Sequence, residues 1–360
     1  MNRPTQKNVH KKVFFFLLFI VLILGTLNLV KAKGFFIPEQ PGITIVDGVI
    51  QLDSLTLEQK IAQMIIVAGY STQLDSWRKM QLGGIHLFAL RDENLFKETI
   101  QEFQYNMTLP FLVTVDLEGC VNPFAAFRYF PFAYTISTSE EAFSKGQQEG
   151  KYLASVGVTL NFAPVVDLDD SIWNCRSYPG DEKSVTLLAE QYIQGLQQQG
   201  ILATAKHYPG KTLVVRDPHK YLVAAEINAR DVYPYSQLSS EVSSIMVSHI
   251  ISSGAVDSHG IPAVSSAEVI GELKKNFSGL IISDEINMLG LKEYYSTLDE
   301  MYIAVFKAGN DIVLNFNKDP QEIYRMIQVI QGAVARGEIS EEQIDASIRK
   351  ILKAKGMKVK

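Results

Sequence analysis

Apolar residues along this chain gather in short runs, separated by stretches that carry helical spacing and charge. Eight of the runs, at 61–69, 84–90, 110–115, 159–166, 201–206, 244–249, 280–283 and 311–315, have the length and composition of buried strands. Segments 140–153, 185–199, 267–276 and 298–308 carry the spaced apolar positions of helices. Strands that alternate with helices pair in parallel and are covered on both faces, which makes their runs apolar throughout. Eight such units over roughly 300 residues predict an α/β fold, a closed (β/α)8 TIM barrel over 55–360. No Gly-rich dinucleotide fingerprint follows any run, so an open doubly wound sheet fits less well.

The first 32 residues follow another pattern. Arg3, Lys7, Lys11 and Lys12 precede a run, 13–30, that holds no charged residue. A basic flank before an apolar run is the layout of a signal peptide, and this run also just reaches the length of a membrane-spanning helix. Val30-Lys-Ala32 offers a small-residue cleavage site; left uncut, the segment is a signal anchor with its basic end in the cytoplasm. On either reading the rest of the chain is expected to be exported, touching a membrane only through an uncut N-terminal segment. No cysteine stands near the end of the run to carry a lipid. Residues 33–54 read as a linker or lead-in.

Composition narrows the partners. The 360 residues carry a net charge of −5, which argues against nucleic acid, because phosphate neutralisation needs a basic face. Lys350, Lys353, Lys355, Lys358 and Lys360 read as the solvated face of a terminal helix and a frayed tail. The two cysteines, Cys120 and Cys175, fall in loops on one face of the predicted barrel. In an exported protein they could pair or stay free. No spacing typical of a metal site occurs. A monomer is expected.

Barrels of this kind carry their chemistry at the C-terminal ends of the strands. The residues found there, in order, are Asp116 and Glu118, Asp167, Lys206 with His207, His249, and Asp284 with Glu285. A loop after the fifth run adds Asp217-Pro-His219. Asp284 is either a nucleophilic carboxylate or a helix N-cap. Asp217 and His219 are either a carboxylate-oriented imidazole that moves protons near neutral pH or an ordinary Asp-Pro turn. Lys206 can bind a substrate hydroxyl, form a Schiff base or sit in an ion pair. His207 reads as a packed, hydrogen-bonded histidine. Arg176 can fix a substrate oxygen or tie down its own loop, and His249 and Asp167 read as supporting partners.

Taken together the motifs resemble a known family. From about Leu55 to the last helix the chain is similar to the catalytic barrel of glycoside hydrolase family 3, in particular the single-barrel bacterial β-N-acetylhexosaminidases that act on peptidoglycan fragments. The resemblance rests on Val115-Asp-Leu-Glu-Gly119, Leu160-Asn-Phe-Ala-Pro-Val-Val-Asp167, Arg176-Ser-Tyr178 and Ala205-Lys-His-Tyr-Pro-Gly210. Asp217-Pro-His219, Ile245-Met-Val-Ser-His249, Ser283-Asp-Glu-Ile-Asn-Met288 and Ala308-Gly-Asn-Asp311 complete it. It implies a carbohydrate substrate and a retaining, two-step hydrolysis without metal or organic cofactor. By position, Asp284 matches the nucleophile, His219 the acid/base and Asp217 its partner. Asp116, Arg176, Lys206 and His207 match residues that hold the terminal sugar.

Three segments depart from the family pattern. Its Glu-Gly-Gly-Arg-Val is here Glu118-Gly-Cys-Val-Asn122, so sugar-facing arginine is lost, and Arg128 stands too far along for direct replacement. Its Pro-Gly-His-Gly turn becomes Pro209-Gly-Lys-Thr212, and its Asp-Ser-His becomes Asp217-Pro-His219, where the ring of Pro218 stiffens the loop. These changes keep open a non-catalytic glycan-binding barrel and, within the enzyme reading, a phosphorolytic variant. A Schiff-base lyase built on Lys206 is the third alternative.

Overall fold

The computed structural model describes residues 6–32, 34–212, 216–217 and 219–360. Eight strands, β1 (Ile65–Ala68), β2 (Gly84–His86), β3 (Leu112–Val115), β4 (Leu160–Asn161), β5 (Leu202–Tyr208), β6 (Ser244–Val247), β7 (Leu280–Ser283) and β8 (Val313–Leu314), pair in parallel in the order β7-β6-β5-β4-β3-β2-β1-β8. The seam between β7 and β8 is joined by the parallel bridge Ile282–Ile312. The Ser283 amide donates to the Ile312 carbonyl at 2.9 Å and the Leu314 amide to Ser283 Oγ at 3.0 Å. The sheet thereby closes on itself as a barrel, with helices such as Ser139–Val156, Glu182–Gln197 and Leu298–Ala308 around it.

Each expected run contains its strand, with two boundary differences. The run at 61–69 begins in the last turn of a helix, Leu57–Gln63. Thr56 starts that helix with a capping box: the Gln59 amide donates to Thr56 Oγ1 at 3.1 Å and the Thr56 amide to Gln59 Oε1 at 2.9 Å. The strand then starts at Ile65. In the other direction, β5 continues to Tyr208, so Lys206 and His207 stand within the ladder rather than beyond it.

Both ends of the chain differ from expectation. The helix Gln6–Ala32 exposes the apolar side chains described from Val13 to Leu27, of which only Ile20 is half-buried. Among the described residues no helix is long and apolar enough to cross a membrane, so the signal-anchor alternative gains no support there. In the lead-in, Val49–Ile50 pairs with Ile45–Val46 on one side and with Lys358–Val359 on the other, and Ile37, Ile50 and Leu52 are buried. The C-terminal tail is therefore a paired strand rather than frayed. Two of its lysines are also tied inward: Lys350 Nζ donates to Asp311 Oδ2 at 3.0 Å, and Lys355 Nζ to Gln63 Oε1 at 2.6 Å.

One helix contact reaches the functional end of the barrel. Helices Ser139–Val156 and Glu182–Gln197 approach so closely that a Cβ at Gly146 would collide with the Tyr192 carbonyl, and one at Gly195 with the Phe143 carbonyl. This approach brings the Tyr192 hydroxyl to Glu149 Oε2 at 2.7 Å and to Asn161 Nδ2 at 3.0 Å. Glu149 is fully buried, and Lys145, one helical turn away, pairs with it. Asn161, at the end of β4, holds Leu117 through both backbone groups at 2.9 Å. Leu117 lies between Asp116 and Glu118, so a glycine contact in the outer layer fixes where two carboxylates point. Gly146→Ala is expected to cost about 1–3 kcal/mol in urea unfolding, because backbone would have to move. An unchanged unfolding midpoint would show that the helices separate without penalty.

Candidate active site

A cavity of about 220 Å³ opens at the C-terminal ends of the strands. Its polar wall includes Asp116, Arg176, Lys206, His207, His219, Asp284 and Glu285; its apolar wall includes Phe88, Phe162, Met246, Met288, Leu314 and Phe316. Of the seven residues to which the family resemblance gives a role, six line this cavity. The seventh, Asp217, stands behind His219, with Oδ1 at 2.8 Å from His219 Nδ1. That contact leaves Nε2 as the imidazole nitrogen free for a substrate. Pro218 lies outside the described residues.

The cationic side is organised around Glu118. This side chain is 1% exposed and contacts both Arg176 and Lys206, with Arg176 Nη2 donating to Oε1 at 2.8 Å. Burial works against its charge, but the two cations hold its carboxyl below the usual value. Lys206 Nζ also donates to Asp116 Oδ1 at 2.6 Å. Burial would strip the lysine of its proton, yet Asp116 and Glu118 raise its affinity for it. Burial likewise opposes the charge of Asp116, and Lys206 with His86 overcomes it, lowering the carboxyl to about 2.

Two histidines near this network differ in setting. His207 Nδ1 is 2.7 Å from Asp167 Oδ2, and its backbone amide donates to Asp167 Oδ1 at 3.3 Å. Asp167 therefore acts as the supporting partner, and His207 turns its other nitrogen to the cavity. His86 is 2% exposed, stacked between Phe162 and Phe316, with Nε2 at 3.5 Å from Asp116 Oδ2. Burial pushes it down to about 4, so it is a neutral ring under the cavity at pH 7. Sequence reasoning passed over it; the available signal was a histidine inside an otherwise apolar strand run.

Asp284 sits at the exit of β7. Its amide donates to the Val247 carbonyl at 2.9 Å, and the Glu285 amide donates to its Oδ1 at 2.8 Å. Burial opposes its charge, but the imidazoles of His249, His207 and His219 and the Glu285 amide hold the carboxyl below the ordinary value. It is an ionised carboxylate beside a space for ligand. Glu285 differs: burial raises it, and its Oε1 is occupied by Asn287 Nδ2 at 2.7 Å and by the Phe316 amide at 2.9 Å. His249 donates from Nε2 to the Glu285 carbonyl at 2.8 Å, which places it as a support of the loop that follows β7.

Cys120 and Cys175 form a disulfide, Cα–Cα 5.9 Å, that joins the loop after β3 to the loop carrying Arg176. Closing a loop of 55 residues this way is worth about 4 kcal/mol against the unfolded chain. Gly119, between Glu118 and Cys120, has φ +118°, and a Cβ there would meet the Ala133 amide nitrogen at 2.7 Å. Only glycine makes that turn without strain.

Residues 56–354 match the model of the glycosyl hydrolase family 3 N terminal domain. The chain belongs to glycosyl hydrolase family 3. A β-hexosaminidase of Haemophilus influenzae is 33% identical over 260 residues, 66% of this chain and 73% of that protein. A Cellulomonas fimi β-N-acetylglucosaminidase/β-glucosidase is 24% identical over 83% of this chain, which spans 57% of that protein's length. A family 3 glycosyl hydrolase from Mycobacterium smegmatis superposes with a TM-score of 0.77 at 25% identity, covering 84% of this chain and 98% of that one.

The departures from the family pattern fall in identifiable places. Arg128 does not replace the missing arginine: its guanidinium lies 4.2 Å from the Tyr152 ring centroid, outside the cavity lining. Lys211 is turned away, donating to the Glu226 carbonyl at 2.7 Å, while Thr212 lines the cavity in its stead. The position after Gly119 is now half of the disulfide. With Glu118 removed, Arg176 and Lys206 would be buried with too little counter-charge. Glu118→Ala is expected to cost about 3–5 kcal/mol of unfolding free energy. Chemical denaturation checks this, and a loss below about 1 kcal/mol would show that water replaces the carboxylate freely.

Proposed function

We propose that the chain is an exported retaining β-N-acetylhexosaminidase that removes terminal β-linked N-acetylhexosamine, with peptidoglycan fragments as its natural substrate. The observation that carries the reading is one cavity lined by an ionised Asp284 and a carboxylate-backed His219, opposite four polar groups suited to sugar hydroxyls. The cavity has room for a single sugar ring, and its apolar wall suits an acetamido methyl group. The β-hexosaminidase name of the Haemophilus influenzae relative supports the same substrate class.

The chemistry follows from the positions. Asp284 attacks the anomeric carbon while His219 gives its Nε2 proton to the departing oxygen, forming a glycosyl ester on Asp284. His219, now neutral, takes a proton from water as that water attacks the same carbon and releases Asp284. Displacement happens twice, so the anomeric configuration is retained. One imidazole can serve both steps because the same ring nitrogen can give a proton and take one back, and Asp217 at the other nitrogen fixes its tautomer. Asp116, Lys206, Arg176 and His207 orient the sugar.

A Schiff-base route through Lys206 is disfavoured, since two carboxylates keep that amine protonated and non-nucleophilic. Export is proposed from the basic flank and apolar run of the N-terminal segment. Alkaline extraction of membranes separates the anchored form from the released one.

An aryl N-acetyl-β-glucosaminide tests the reading. The intact protein should release the aryl group at a rate independent of inorganic phosphate. Asp284→Ala should lose activity by at least about 10³-fold, and His219→Ala by about 10²–10⁴-fold. Binding of N-acetylglucosamine without turnover would favour the glycan-binding alternative, and a rate requiring phosphate would favour phosphorolysis.

A further inference from the structure

His219 carries the proton in the proposed reaction, yet its side chain is 56% exposed and, among the described residues, its imidazole hydrogen-bonds to Asp217, only two residues away in its own loop. A ring held at one nitrogen by a neighbour on the same loop can still swing with that loop. A second contact comes from elsewhere in the barrel. The indole of Trp173, in the loop after β4, meets the imidazole edge to face, with centroids 5.7 Å apart and planes at 85°. Resting on the glycosidase reading, we propose that Trp173 is a positioning residue that docks His219 against the rim of the sugar pocket and so sets its aim at the leaving-group oxygen.

The surroundings of Trp173 suit a fixed abutment. Asp170 Oδ1 accepts from the Trp173 amide at 3.0 Å, while Oδ2 accepts from the amides of Cys175 at 3.2 Å and Arg176 at 3.0 Å. One carboxylate thus gathers the loop into a tight turn. The disulfide pins the same turn to the loop after β3. The Arg176 guanidinium lies over the indole, 4.8 Å from its centroid, and is itself clamped by buried Glu118. Trp173 therefore touches a sugar-orienting group with its ring and the proton donor with the same ring. It links the two sides of the scissile bond through one rigid side chain. Proton transfer demands the donor within hydrogen-bond reach of the glycosidic oxygen, and small misplacements are costly.

A series of aryl and alkyl N-acetyl-β-glucosaminides reads this directly, because kcat/KM reports only the first step and its need for a proton grows with the basicity of the leaving group. A dinitrophenolate departs unaided; a phenolate or alkoxide does not. Trp173→Ala should lose about 100-fold in kcat/KM on the phenyl glycoside and less than about threefold on the dinitrophenyl one, steepening the leaving-group dependence. Trp173→Phe should recover most of the loss, since it restores an aromatic edge. Trp173→Leu, which keeps bulk without a ring, should behave like the alanine variant, and matched melting temperatures of the Phe and Leu proteins guard against a folding artefact. Equal losses across the series, or none, overturn the inference and assign Trp173 to sugar binding or packing alone. Inactivity of the intact protein on every glycoside overturns the glycosidase reading, and this inference with it.

Discussion

A carboxylate with almost no access to water, Glu118, is the constraint on which the rest of this barrel mouth depends. An unpaired buried charge costs several kcal/mol, so Glu118 is tolerable only while Arg176 and Lys206 stay beside it. The same holds in reverse for the two cations. Because the three residues come from the loop after β3, the loop after β4 and β5, their mutual need for charge draws three segments together. Lys206 then has Asp116 as a second partner, which leaves that half-buried carboxylate facing the cavity. The groups proposed to hold a sugar are thus oriented before any sugar arrives, and little reorganisation remains for binding.

Support for this arrangement reaches outward through packing. The glycine contact between helices Ser139–Val156 and Glu182–Gln197 sets the position of Tyr192, Tyr192 holds Asn161, and Asn161 holds the backbone between Asp116 and Glu118. The disulfide ties the two loops that meet at Glu118 and Arg176. Where the family pattern calls for glycine and then arginine after Gly119, this chain has Cys120 and Val121. A covalent tie stands at the place where a charged side chain is lost.

The strand order and most of the polar rim were legible from sequence because burial on both faces makes parallel strands apolar throughout, and charges after such runs stand out. Asp116, Lys206, His207 and Asp284 are visible for that reason. The apolar wall was not legible: Phe88, Phe162 and Phe316 have the same composition signal as any core residue, and only the fold shows that they face a cavity. His86 was hidden inside a strand run. Trp173 stands in a loop whose turn is made by Asp170, and nothing in its spacing to His219 indicates that they meet. The first apolar run was misread at its start because a short buried helix and a buried strand share one composition. The terminal lysines looked solvated, but lysine stems bury well and their amines found Asp311 and Gln63.

Stereochemistry reports most directly on the proposed bond between Asp284 and the anomeric carbon. Proton NMR of the first-formed sugar, recorded before mutarotation, should show the β-anomer from a β-linked aryl N-acetylglucosaminide. Appearance of the α-anomer first would mean a single displacement by water, and would contradict a covalent role for Asp284.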